Sequence, residues 1–160
     1  MTTPPPAPPR GGRLHSTTRD GFELEVDEAT SIRMAGIRQF GTSPELIVRK
    51  LVRALGARYR VSNKDLPGSP DLANRSKRWA IFVHGCYWHR HPECKLTTTP
   101  KRNREFWEAK FARNVARDLE AVHRLEELGF AVLVIWECET RTPETLLRRL
   151  RRWSHLAPQT

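Results

Sequence analysis

At 160 residues and a net charge of +10, the chain has room for one domain with a hydrophobic core but not for two of ordinary size. Five arginines and five acids cancel within residues 1–43, so the excess lies in residues 44–160, where 23 basic face 13 acidic side chains; that field suits a polyanion, nucleic acid first among them. The longest apolar runs, Trp79–Val83 and Ala131–Trp136, fall far short of the roughly 18 residues a spanning helix needs, and the proline-rich start lacks the apolar stretch of a secretory signal, so a cytoplasmic protein without a membrane partner is expected.

Residues 1–30, rich in proline, threonine and glycine, read as a disordered tail, because they lack the apolar surface to offset ordering entropy. The folded domain is expected over residues 31–155. Its first helix opens at Ser43-Pro44-Glu45, an N-cap, a first-turn proline and an acid at the positive helix end, and Gly56 stops it. Arg58–Val61 reads as a short strand, Leu66–Pro70 as a turn and Asp71–Ala73 as the opening of a second strand. Trp79–Val83 is an unbroken apolar strand buried on both faces. A long helix from about Asn103 to Leu128 buries a stripe of Phe111, Val115, Leu119, Val122, Leu125 and Leu128, and Gly129 ends it. Phe130–Trp136 is another apolar strand, and Thr142-Pro143-Glu144 caps a last basic helix to about Trp153. This order predicts a single α/β domain, a mixed central sheet flanked by helices.

Chemistry gathers at the strand ends. Cys86, His91 and Cys94 crowd into the loop after one apolar strand, and Cys138 follows the other. If those strands are parallel neighbours, three thiolates and an imidazole converge on the tetrahedral set that Zn2+ prefers, and four protein ligands leave no open position for catalysis, so the site reads as structural. The alternative is two core thiols and an exposed histidine.

Phosphodiester hydrolysis needs an activated water and neutralisation of the developing charge, which a carboxylate-bound Mg2+ can supply. Asp71 starts a strand after a Pro-Gly turn, although a lone aspartate there is more often a turn cap. His84 and His89 are not needed by the zinc set and stand near the same strand end, with the right chemistry to take a proton from water. Glu45 serves either the helix dipole or a histidine, and Asp118, among arginines, reads by itself as a solvated ion pair. Tyr87 and Trp88 are adjacent aromatics on a basic loop, the kind of side chain that wedges between base steps. Trp107 and Lys110 share a helix face with Asn114, and core packing of Trp107 is the competing reading.

Taken together, Met34-Ala35-Gly36-Ile37, Thr42-Ser43-Pro44-Glu45, the run Asp65–Asp71, the stretch Ile81–Cys94, Arg104-Glu105-Phe106-Trp107, Arg113–Asp118 and Trp136-Glu137-Cys138 resemble the Vsr very-short-patch mismatch repair endonucleases, which have a restriction-endonuclease-like fold. The resemblance implies nicking of one DNA strand 5′ to the thymine of a T·G mismatch, the lesion left by deamination of 5-methylcytosine. It implies that Asp71, with the main-chain carbonyl of Val83, binds catalytic Mg2+; that His89 is the general base, aided by Glu45; and that His84 and Asp118 support water and phosphate. Cys86, His91, Cys94 and Cys138 would hold the structural Zn2+. Tyr87, Trp88 and Trp107 would form an aromatic wedge, with Met34, Ile37 and Lys110 approaching double-stranded DNA from the opposite groove. The chain departs from the family pattern in a His91–Cys94 loop one residue longer and in Tyr87 where phenylalanine is usual. An asymmetric lesion needs no two-fold protein, so a monomer is expected. Two other readings stay open: a zinc-stabilised module that binds distorted DNA without cutting, and a restriction-type nuclease of matched duplex.

Overall fold

A computed structural model describes residues 14–19, 21–26, 32, 36 and 40–156; Met34 and Ile37 lie outside them. A hairpin of β1 (Leu14–Thr17) and β2 (Glu23–Val26) precedes helix α1 (Ser43–Ala54). Strand β3 (Leu72–Asn74) pairs antiparallel with β4 (Trp79–His84), helix α2 (Arg104–Glu127) crosses over, and β5 (Ala131–Trp136) returns parallel to β4. A 3-10 turn (Glu137–Arg141) leads into α3 (Pro143–Arg152) and a last 3-10 turn at Ser154–Leu156. The result is the expected mixed sheet flanked by helices, in the order β3-β4-β5.

Period-2 alternation along β4 divides the core. Trp79 and Ile81 point to one face, where they meet Val48 and Val52 of α1 and Leu146 and Leu150 of α3. Ala80 and Phe82 point to the other, where Ala121 and Leu125 of α2 cover them. The same alternation sends His84 to the α2 side. Both long helix ends are closed by glycine: the Gly56 and Ala57 N–H groups bond to Arg53 and Val52, and those of Gly129 and Phe130 to Glu126 and Leu125, with φ of +75° and +79° at the glycines, the double bond of a Schellman end.

Two expectations are corrected. Arg58–Val61 forms no strand, only a bridge between Arg60 and Ala73. Asn63, fully buried, instead donates to the carbonyls of Arg60 and Pro70, and Ser62 adopts a φ of +59°, which turns the chain off the sheet. On α2, Leu119 and Leu128 are exposed, at 67% and 49%. The inward row runs through Phe111, Asn114, Asp118, Ala121 and Leu125, because the helix passes beyond the apolar sheet and over the polar end of β4. The β1–β2 hairpin lies within residues 1–30. Its turn closes on Thr18, which accepts from the Gly21 N–H through its carbonyl and from the Phe22 N–H through its hydroxyl, and Gly21 supplies the φ of +80°.

Candidate active site

Asp71 is placed by the turn before it. Gly68 has a φ of +69°, and a Cβ there would stand 2.5 Å from the Ala121 Cβ and 3.1 Å from the Phe82 ring. Only glycine lets this loop pass so close under α2. Asn63 holds the Pro70 carbonyl at 3.0 Å, and the Val83 N–H donates to Asp71 Oδ2 at 2.7 Å. One carboxylate oxygen is thereby tied to the end of β4, beside the carbonyl of the same Val83. Burial is the main force on this carboxyl, and with the nearby Glu45 it outweighs the Val83 N–H, Arg49 and His89 to raise the pKa to about 6. A carboxylate so destabilised in its ionised form gains from a bound cation, which fits a divalent metal at this point.

Glu45 is 4% exposed. Its oxygens accept from the Gly41 N–H at 2.9 Å, the Thr42 hydroxyl at 3.0 Å and Arg49 at 3.0 Å. It is thus clamped at the start of α1 and acts on Asp71 through its charge. Arg49 was not singled out from the sequence; its spacing of four from Glu45 on one helix was the available signal.

His84 and His89 stack with ring centroids 4.0 Å apart and planes at 9°, and His89 Nδ1 bonds to Asp118 Oδ2. Asp118 is therefore the carboxylate partner of a histidine, with the exposed Arg117 3.8 Å from its other oxygen. Burial first, then the charge of His89, lowers the His84 pKa to about 4, so His84 is neutral at neutral pH. His84, His89 and Asp118 lie close enough to hold a metal. Their geometry argues otherwise, because a metal sits in the plane of each imidazole it binds, about 2.0 to 2.1 Å from nitrogen, and parallel planes this far apart do not share one. The cluster is suited to handling protons, with Nε2 of His89 left to act.

The second cluster interleaves with the first. Ligand atoms of Cys86, His91, Cys94 and Cys138 all lie within 4.8 Å of one another, and His91 Nδ1 is 3.6 Å from Cys86 Sγ and 3.4 Å from Cys138 Sγ. Zn–S and Zn–N bonds at the tetrahedral angle give an S···N edge of about 3.6 Å, so the residues fit that ion. Burial pushes the Cys86 thiol up to about 12 and raises Cys138, whereas the Leu96 N–H is the main cause lowering Cys94. A dication reverses the first two shifts. Thr97 bonds to the carbonyls of Cys86 and His91, and Glu137 accepts from the Cys86 N–H at 3.3 Å. Trp136 stands between the clusters, stacked on His91 at 4.4 Å and edge-on to His84 at 5.4 Å. In the sequence Trp136 ends an apolar strand and opens the Trp136-Glu137-Cys138 motif, and nothing in that pattern marks it as the divider.

Tyr87, Trp88 and Trp107 do come together. Trp88 lies 4.9 Å from Tyr87 and 6.1 Å from Trp107, and Phe111 closes the group. All three are half-buried. Asn114 holds the Trp88 carbonyl at 3.2 Å, so the rings ride on a loop fixed to α2. The Lys110 Nζ sits over the Trp107 and Trp88 rings, 5.0 and 5.5 Å from their centroids.

Residues 25–96 match the family model described as DNA mismatch endonuclease Vsr. The chain is 41% identical over 118 residues to the type II nicking enzyme V.XorIIP of Xanthomonas oryzae, covering 74% of this chain and 86% of that protein. It is 41% identical over 133 residues to the DNA mismatch endonuclease Vsr of Escherichia coli, covering 79% and 85%. With V.NmeAIP, a type II nicking enzyme of Neisseria meningitidis, identity is 38% over 122 residues, covering 76% and 86%. On the strength of these matches, the chain belongs to the Vsr family of DNA mismatch endonucleases.

Proposed function

We propose that this Vsr-family endonuclease nicks one strand of duplex DNA on the 5′ side of the thymine in a T·G mismatch, in a Mg2+-dependent hydrolysis, on a restriction-endonuclease-like fold. The observation that carries the reading is the histidine–aspartate pair His89–Asp118 beside the half-buried Asp71, at the end of the strand whose loop bears the aromatic group.

Asp71 and the Val83 carbonyl would hold the Mg2+, which when bound offsets negative charge on the phosphate. His89 takes a proton from water at Nε2, since Nδ1 is engaged by Asp118, and Asp118 stabilises the resulting imidazolium. His84, neutral and stacked on His89, fixes that ring's plane and hydrogen-bonds without adding charge. Glu45, with Arg49, sets the field at Asp71. The Cys86, His91, Cys94 and Cys138 set would hold Zn2+ and fix the loop. Tyr87, Trp88 and Trp107 would enter the stack at the mismatch, where unstacking costs least, with Lys110 at their edge and Met34 and Ile37 in the facing groove. The protein would act as a monomer in the cytoplasm, because one lesion in one strand calls for one site. Among the described residues no helix is long and apolar enough to cross a membrane.

The test uses labelled duplexes that differ only by T·G or T·A at one position, incubated with Mg2+ or chelator, with both strands resolved. A single nick 5′ to the mispaired thymine, only with Mg2+, is expected. Equal cutting of both strands in the matched duplex would instead make this a restriction-type nuclease, and binding without cutting would make it a recognition module.

A further inference from the structure

Two arginines act on the reacting groups, and they are used differently. Arg49, whose charge is felt by Asp71, is tied down: it bonds to Glu45 Oε2 at 3.0 Å and its side chain is 25% exposed. Arg117 stands at the histidine pair, where its charge reaches His84, yet among the described residues it makes no hydrogen bond. Its ion-pair partner is Asp118, with Nη2 3.8 Å from Oδ1, beyond hydrogen-bond range. That carboxylate already serves His89 through Oδ2. The Arg117 side chain is 68% exposed, against 18% for Asp118. So open and long an ion pair contributes little to stability. Arg117 also lies mid-helix in α2 (Arg104–Glu127), away from the end where the dipole favours cations. The fold alone therefore gives no reason for a guanidinium at this point.

The chemistry of the site gives one. His89 and Asp71 are close enough for their charges to interact, so a phosphate served by both, through water at His89 Nε2 and a metal at Asp71, lies between them. Negative charge builds on its oxygens as water attacks, and a cation held by Asp71 meets that charge from one side only. Arg117 sits next in the chain to the residue that fixes His89, on the histidine side, with its planar fork of donors uncommitted. That fork matches two oxygens of one phosphate. We infer that Arg117 is a phosphate-binding residue of the reacting site, its guanidinium moving from Asp118 onto the cut strand's backbone at the scissile bond. The inference rests on the reading of the protein as a nuclease that cuts 5′ to the mispaired thymine, and its test separates the two.

The first measurement is binding of the full chain, without Mg2+, to T·G duplexes in which one phosphate is replaced by a neutral methylphosphonate, at the scissile position or at either neighbour. The natural chain should lose about tenfold at one of these three positions. Arg117→Gln should bind the unmodified duplex about tenfold more weakly, with a salt slope smaller by about one, and should lose less than about twofold more at that same position. Gln keeps the helix propensity of this exposed site, so the variant should melt with the natural chain. The second is single-turnover nicking with Mg2+ across pH. Arg117→Gln should lower the plateau rate by about 10² to 10³, and Arg117→Lys should recover part of it by restoring charge without the fork. Losses that simply multiply at all three positions would overturn the inference. So would an unchanged plateau with only the pH midpoint moved, the mark of a residue acting through Asp118. If the natural chain nicks nothing but the methylphosphonate and Arg117→Gln losses coincide, the phosphate contact stands and the nuclease reading fails.

Discussion

The Cys86/His91/Cys94/Cys138 cluster and the Asp71/His84/His89/Asp118 cluster share one loop and one strand end, yet are built to opposite ends. In the first, four candidate ligand atoms converge, while the Thr97 hydroxyl of the loop and Glu137 of the turn after β5 fix the Cys86 backbone. In the second, each group is fixed at one atom and free at another: Asp71 by the Val83 N–H, His89 by Asp118. The difference teaches how one loop can carry a candidate metal cluster beside a candidate reacting site, with an aromatic plate, here Trp136, between the two.

Breaking the mount should have the largest effect. Structural zinc sites contribute about 10 to 16 kcal/mol in small domains, against a whole-domain stability of about 5 to 15 kcal/mol. Cys138→Ser should therefore lose the metal and either unfold or melt far below the natural chain, as read by zinc analysis and thermal melting. On the reacting side, His89→Ala should lower single-turnover nicking by about 10² to 10⁴ with little change in melting temperature.

A pH experiment sharpens the contrast. The folded pKa of Asp71, about 6, lies above its ordinary value of 3.8, so its ionisation destabilises the fold progressively as pH rises from about 4 to 6. Asp71→Asn removes that penalty. Without Mg2+, the variant should match the natural chain near pH 4 to within about 1 kcal/mol and exceed it by about 3 kcal/mol at pH 7, in denaturant unfolding at each pH. A variant less stable at pH 7 would contradict the raised value. The smallest effect is expected at the aromatic group, where Trp88→Ala should weaken T·G binding by about 1 to 3 kcal/mol and matched binding by less.

Much of this was legible in the chain. Continuous apolar strands at Trp79–Val83 and Ala131–Trp136, each followed by cysteine, put the three cysteines and His91 of the candidate metal site at one sheet end once β4 and β5 proved parallel. Glycines after both long helices marked their ends. What escaped was set by tertiary contact. Arg58–Val61 has strand composition, but the buried Asn63 bends it away. Asp118 looked solvated among Arg113 and Arg117 because periodicity cannot tell that the inner row of α2 overruns the apolar sheet and meets His89. The hairpin around Gly21 was hidden by the composition of the proline-rich residues before it.

The central claim is that one loop carries a scaffold site and a reacting site that fail independently. Zinc content and single-turnover nicking of a T·G duplex, measured on the same sample of Asp71→Asn, test it most directly. The account predicts about one zinc per chain in both the variant and the natural protein, with nicking reduced in the variant by at least about 10³, since the charge offset that a carboxylate-held metal supplies is lost. Nicking at the natural rate, or loss of zinc together with activity, would contradict it.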